Sequence, residues 1–374
     1  MVLNLHRIAR SQKELKELYL NLAIESFAFS LIGIFIPIYL LKLGYGLNLV
    51  LLFMLVNLCT IGALSPITAH IASRTGLKHA ILFRMPLLML FFFLLNSLDK
   101  IDGPFLMFIA FIGGLAESLY WVSLNSEFVK NSDSIHEGEE IGQMIAFPRL
   151  ATIFAPLIGG YIAVAMGFDM LFIIVMVILA VAVMPLFLTT DYKSYFRFRI
   201  KETRLFLNHR LSLQYFLWGA IAIAEAVMWP LYIYLKFDDL VLIGLTQTIA
   251  GIAITLLTFY MGRIADKTDR RKMLRYGAIT YAMVWFARLF ATSVTEIILL
   301  SFLGGLFATR IIIVVFAQFC NFARGKHILR NVVFWELWLM LGKLFAFILI
   351  ILAVSKFEVA FIMAGILTLF YLFV

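Results

Sequence analysis

Four glutamates sit in stretches otherwise too apolar to hold a charge: Glu25, Glu117, Glu225 and Glu336. Four bases do the same: Arg149, Arg288, Arg310 and Lys343. An isolated charge at mid-bilayer costs ~3 kcal/mol or more, so these side chains should face water, a protein interior or one another. Equal numbers of each sign suggest pairing. Glu117 is within reach of Arg149, and Glu225 of Arg310, if neighbouring helices bring them together. Glu336 and Lys343 are seven residues apart, about 10 Å along one helix face, too far for a direct bond. Each should address a different neighbour. Arg288 lies nearest a segment end and can extend to the interface. A carboxyl in a partly dry cavity can take up and release a proton near neutral pH. By this chemistry Glu225 is the first candidate proton carrier and Glu25, which has no evident basic partner, the second. A permanently ionised structural pair is the alternative for Glu225.

The surroundings are apolar throughout. The 374 residues are 63% hydrophobic yet carry a net charge of +9. Runs at 27–41, 47–71 and 171–188 approach or exceed the ~20 residues that cross ~30 Å of hydrocarbon as a helix. Polar punctuation divides the chain into twelve spans near 17–42, 46–70, 80–98, 104–129, 141–166, 169–189, 211–236, 239–264, 273–293, 295–321, 328–354 and 357–374. Most of the 31 Lys and Arg residues gather at the N-terminus and in the even-numbered loops, whereas the odd-numbered loops hold only Lys42, Lys100, Lys236 and Lys356. The positive-inside rule then places both termini in the cytoplasm of a cell or bacterial inner membrane. The excess charge is accounted for by topology and contact with anionic lipid, not by nucleic acid. Arg7, Arg10, Lys13 and Lys16 suit either an amphipathic surface helix or a solvated tail, and no signal-peptide cleavage site is expected. Cys59 and Cys320 fall inside spans and form neither a disulfide framework nor a metal motif.

The two halves match at an offset of 193 residues: Pro37-Ile-Tyr39 with Pro230-Leu-Tyr232, Ile71-Ala72 with Ile264-Ala265, and Lys78 with Arg271. Six spans per half make the repeats parallel. The expected division is 1–190, a cytoplasmic connector at 191–210, and 211–374. Between spans eight and nine, Gly262-Arg-Ile-Ala-Asp266-Lys-Thr-Asp-Arg270-Arg271-Lys272 resembles the G-x-L-A-D-x-x-G-R-[RK] signature of the major facilitator superfamily (MFS). The first-half copy, from Ala69 to Lys78, has Ser73 for the acid and Leu77 for one base. In span five, Ala151-x-x-x-Ala155-Pro156-x-x-Gly159-Gly160 resembles that family's G-x-x-x-G-P-x-x-G-G motif, which is associated with exporters. The resemblance implies an all-α fold of twelve transmembrane helices in two parallel six-helix repeats. It also implies that the first and fourth helices of each half contribute to a central cavity, bringing Glu25, Glu117, Glu225 and Arg310 toward it. In the loop motif, Asp266 held by Arg270 and Arg271 would cap a neighbouring helix and act as a conformational switch; the plainer reading is a topology anchor.

Helical phase adds neighbours. Glu117, Trp121 and Asn125 share a face with Gly114; Glu225, Met228, Trp229 and Tyr232 share another; Asn21, Glu25 and Phe29 a third. Static helix packing is the simpler account of each. No P-loop, nucleophile elbow or HExxH motif occurs, and no cofactor or metal is expected. The expectation is a secondary active transporter of a small organic solute, coupled to protons, either exporting or importing, and not an enzyme. Tyr232, Glu336 and Lys343 complete the candidate binding residues. A lipid translocator on the same fold and a membrane enzyme acting on a lipid-linked substrate are the alternatives. One chain carries both halves, so a monomer suffices.

Overall fold

A computed structural model describes residues 2–98, 103–131, 148, 150–184, 209–262, 270–324, 327–353 and 356–374. All the secondary structure among them is helical, and every expected span contains a helix. Seven helices are long and apolar enough to cross a membrane unaided: Lys16–Lys42, Leu77–Asn96, Pro104–Asn131, His209–Phe237, Leu240–Thr258, Val294–Ala323 and Ile328–Leu352. Span two is the bent pair Leu47–Ala63 and Ser65–Thr75, which turn through 49°. The bend has a local cause. Pro66 has no N–H to give the carbonyl of Gly62, and the Ser65 hydroxyl donates to that oxygen instead, at 2.7 Å. Leu150–Ala165, Gly167–Ala182 and Phe357–Leu372 supply spans five, six and twelve. Span nine, Arg270–Arg288, is less apolar because its first turn is basic. The N-terminal segment differs from both expectations for it. It is neither a separate surface helix nor a tail, since Val2–Ile32 is one continuous helix that becomes span one.

The duplication recurs as matching packing. Gly114 on span four lies against the carbonyl of Asn57 on span two, and Gly305 on span ten lies against the carbonyl of Ala250 on span eight. Asn57 and Ala250 are 193 apart, whereas the glycines are 191 apart, so the second half is two residues shorter between these spans. Small residues allow such backbone approach, and dispersion between close helices holds membrane bundles together. The repeats diverge before their shared proline. In span one a 3-10 turn, Gly33–Phe35, precedes Pro37. In span seven a π turn, Ala224–Met228, precedes Pro230, which has no donor for the carbonyl of residue 226.

The halves meet through spans five with eight and two with eleven. Gly160 packs on the carbonyl of Leu240 and Gly244 on that of Pro156; Gly62 packs against Met340 and the carbonyl of Glu336. Close approach is thus what the Pro156-Leu-Ile-Gly159-Gly160 stretch achieves here, with Gly159 seated on the Leu31 carbonyl of span one. At the side bearing the basic loops, Phe128 of span four touches Phe316 of span ten, with ring centroids 6.1 Å apart. At the opposite side, the end of span one touches that of span seven.

Candidate functional site

Between the halves lies a cavity of about 430 Å³. Span four turns Gly113, Glu117, Trp121 and Asn125 into it, at the i, i+4, i+8, i+12 spacing of one helix face. Span eleven turns Trp335, Glu336, Leu339 and Lys343 into it. Phe29, Phe91, Trp218 and Phe316 complete aromatic walls from spans one, three, seven and ten. The volume lies near the lower end of the ~300–1,000 Å³ typical of small-molecule sites.

Behind the Glu117 wall is an arginine that the sequence reading does not count among the membrane-interior bases. Arg84 of span three is fully buried and bonds two carboxylates: Glu25 of span one at 2.8 Å and Glu117 of span four at 2.5 Å. Its guanidinium also lies over the ring of Tyr120, 4.2 Å from the centroid. Glu117 accepts a second bond from the Trp121 indole N–H at 3.1 Å. The other oxygen of Glu25, Oε1, is buried with no hydrogen-bond partner among the described residues. Glu25 therefore has a basic partner after all. The signal for Arg84 was its phase: Ile81, Arg84, Leu88, Phe92 and Leu95 form one buried stripe, while Leu82 and Phe83 are exposed. Arg84 is only a turn or two inside its span, where a long side chain can equally reach the interface. The partner expected for Glu117, Arg149, lies outside the described residues.

In the second half the expected pair of Glu225 with Arg310 is replaced by Glu225 with Arg288. Arg288 donates to both oxygens of Glu225, at 2.7 and 3.1 Å, and the Tyr281 hydroxyl donates at 2.7 Å. Arg288 does not extend to the interface. It is fully buried between the indoles of Trp229 and Trp285, 4.4 and 4.2 Å from the ring centroids. Gly304 leaves room for the guanidinium, because a Cβ there would strike Nη2. Axial level explains the exchange. Trp229 bonds Ser301 at 3.0 Å, which places span seven beside span ten about 8 Å before Arg310 is reached from the level of Glu225. Arg310 instead packs by its Cβ near Gly277, with its guanidinium 5.9 Å from the Phe307 centroid. Tyr232 donates to the Ala291 carbonyl at 2.6 Å and stacks on Trp229. Glu25, Glu225, Tyr232 and Arg310 are absent from the cavity lining, whereas Glu117, Glu336 and Lys343 are part of it.

Among the described residues Glu336 receives one long contact, 3.5 Å from Asn125 Nδ2, which links span eleven to span four. Lys343 makes no hydrogen bond or ion pair among the described residues, and Glu336 and Glu117 are the carboxylates that share the cavity with it. In the loop motif Asp266 lies outside the described residues, Gly262 ends the helix Leu240–Gly262, and Arg270 and Arg271 open span nine exposed. In the first-half copy the Ser73 hydroxyl bonds back to His70, and Lys78 pairs with Glu17 at 3.2 Å.

A family model described as Major Facilitator Superfamily matches residues 18–237 and 211–374, which together span nearly the whole chain. The chain belongs to the major facilitator superfamily. It is accordingly a multi-pass membrane protein of a transporter family, with all-α architecture in two halves. Among solved structures, the crystal structure of the human organic anion transporter MFSD10 (TETRAN) is similar at a TM-score of 0.71. The two are 12% identical, and the match covers 97% of this chain and 99% of that one. At that identity the likeness bears on the fold. No curated protein matches this MFS chain by sequence.

Proposed function

We propose that this protein is a secondary active transporter that carries a small organic solute by alternating access, with protons as the coupling ion. The observation that carries the reading is the Arg84 cluster beside the central cavity. One guanidinium serves two carboxylates, so with both ionised these three side chains carry one net negative charge in a buried site. A proton is the simplest neutralising species, and the partnerless Oε1 of Glu25 is a place for it. Glu225 is the weaker candidate, since Arg288 balances its charge and both its oxygens are bonded. The charged and titratable groups facing the cluster are Glu25, Glu117, Arg84, Tyr120 and, from span eleven across the cavity, Lys343. Movement of span four relative to span one would let Arg84 favour one carboxylate and release the other to accept a proton. The cell membrane as location, cytoplasmic termini and a monomer acting alone are parts of the same proposal. Lipids are its surrounding solvent, and no nucleic acid or cofactor enters it.

Flux in liposomes under an imposed pH gradient tests the coupling. Gradient-driven accumulation is expected for wild type and for Glu225→Gln where that variant folds. Glu25→Gln and Glu117→Gln should each lose it, while exchange without a gradient survives in at least one of them. If wild-type flux ignores the gradient, proton coupling is refuted. If both variants still accumulate solute, the cluster is not the carrier.

Topology has its own test. Lys42 and Lys272 are both exposed and lie on opposite sides in the twelve-span arrangement. With Cys59 and Cys320 replaced, cysteine at position 272 should react with an impermeant maleimide only after the cytoplasmic face is opened, and cysteine at 42 in intact cells. Labelling of both from one side would overturn the arrangement.

A further inference from the structure

We infer that the cavity takes a zwitterionic solute, with an acid and a base at opposite ends of an apolar, aromatic-compatible body. The inference rests on the reading of this cavity as the transport site and adds the substrate class. Three charged side chains line it, and their engagement differs. Glu117 is occupied by Arg84 and the Trp121 indole. Glu336 has one long contact with Asn125, and Lys343 has no hydrogen bond or ion pair among the described residues. Two opposite charges are therefore left available, on one face of one helix, separated by two turns or about 10 Å.

That spacing is what selects the class. Within ~4 Å the two groups would satisfy one another; with their backbone positions two turns apart, no ion pair joins them among the described residues, and each is left to find a bond from a ligand. A solute anion bonded to Lys343 would leave Glu336 desolvated by the filled cavity, and a solute cation bonded to Glu336 would strand Lys343. A molecule bearing both charges completes both bonds at once. Its orientation follows: the base lies toward Glu336 and Asn125, nearer the side of the basic loops, and the acid toward Lys343. Trp121, Trp218, Trp335 and Phe91 line the space and suit a flat apolar body. A single α-amino acid centre, with its charges on adjacent carbons, cannot span the two groups; an ω-amino acid with an intervening ring can.

Three matched probes test this on the full chain purified in detergent: 4-(2-aminoethyl)benzoate, its N-acetyl derivative, which is a pure anion, and its methyl ester, which is a pure cation. Saturable thermal stabilisation is read for each. The zwitterion should bind about tenfold or more tightly than either singly charged analogue, and Lys343→Met and Glu336→Gln should each erase that preference. The comparison among the three probes needs no variant, so it stands even if a variant folds poorly. Equal or tighter binding of the anion or the cation, binding of none of the three, or a preference unchanged in both variants would overturn the inference. Binding in detergent needs no gradient. A protein that selects the zwitterion yet accumulates no solute under a pH gradient would refute the coupling alone, and the converse result would refute the substrate class alone.

Discussion

Arg84→Leu should remove most of the folded protein. Arg84 is fully buried, and its loss strands the carboxylates of Glu25 and Glu117, whose side chains are 2% and 17% exposed. Breaking a buried ion pair from one side costs ~3–5 kcal/mol, a large share of the ~5–15 kcal/mol that separates folded from unfolded domains. Here two carboxylates lose the same partner, so the upper part of that range is expected. Arg84→Lys should recover little, because a point charge cannot replace a fork that bonds carboxylates on two different helices. The decisive comparison is the triple variant Arg84→Leu, Glu25→Gln, Glu117→Gln, which removes all three charges and should regain much of the melting temperature. Arg310→Leu is the contrast. Among the described residues its guanidinium has one ring contact, and its loss should cost far less. Yield of monodisperse protein and the melting midpoint in detergent measure both. Arg84→Leu melting close to wild type would refute the structural role of the cluster.

The second large effect concerns two glycines that hold span eleven against span seven. A Cβ on Gly342 would fall on the Phe216 carbonyl oxygen, and one on Gly219 on the Leu339 carbonyl oxygen. Neither obstacle is a side chain that can rotate away, so the helices must separate. Overpacking of this kind costs ~1–3 kcal/mol even where neighbours can shift, and Gly342→Val should reach or exceed the top of that range. Gly244→Val makes an informative partner. It meets the Pro156 carbonyl across the interface between the halves rather than within one half. Each half keeps its own packing, so the expectation is folded protein with the interface forced open and transport lost. Melting curves together with cysteine accessibility on the span-five and span-eight faces separate the outcomes. Equal melting losses for the two variants would mean that the halves do not behave as distinct packing units.

The sequence by itself determined the twelve spans, the parallel duplication and the superfamily. Each rests on a signal that many residues carry together: apolar length set by bilayer thickness, charge bias summed over loops, and a 193-residue offset held through prolines and charges. Such sums tolerate local error. It also placed Glu117, Trp121 and Asn125 on one face of span four; these three line the cavity, while Gly114, grouped with them, packs on span two instead. The partners were decided by tertiary structure alone. Phase around a helix is written in one chain segment, but the axial level at which two helices meet is not. Glu225 meets Arg288 because Trp229 and Ser301 set the level of spans seven and ten, leaving Arg310 about 8 Å further along. Arg84 and Arg288 lie close enough to span ends to extend to an interface, and what turns each inward comes from other helices: two glutamates for one, and Glu225, the Trp229 indole and the gap at Gly304 for the other, with Trp285 of its own helix on the far side of the guanidinium. An arginine's reach is long enough to go either way, so only the position of its neighbours decides.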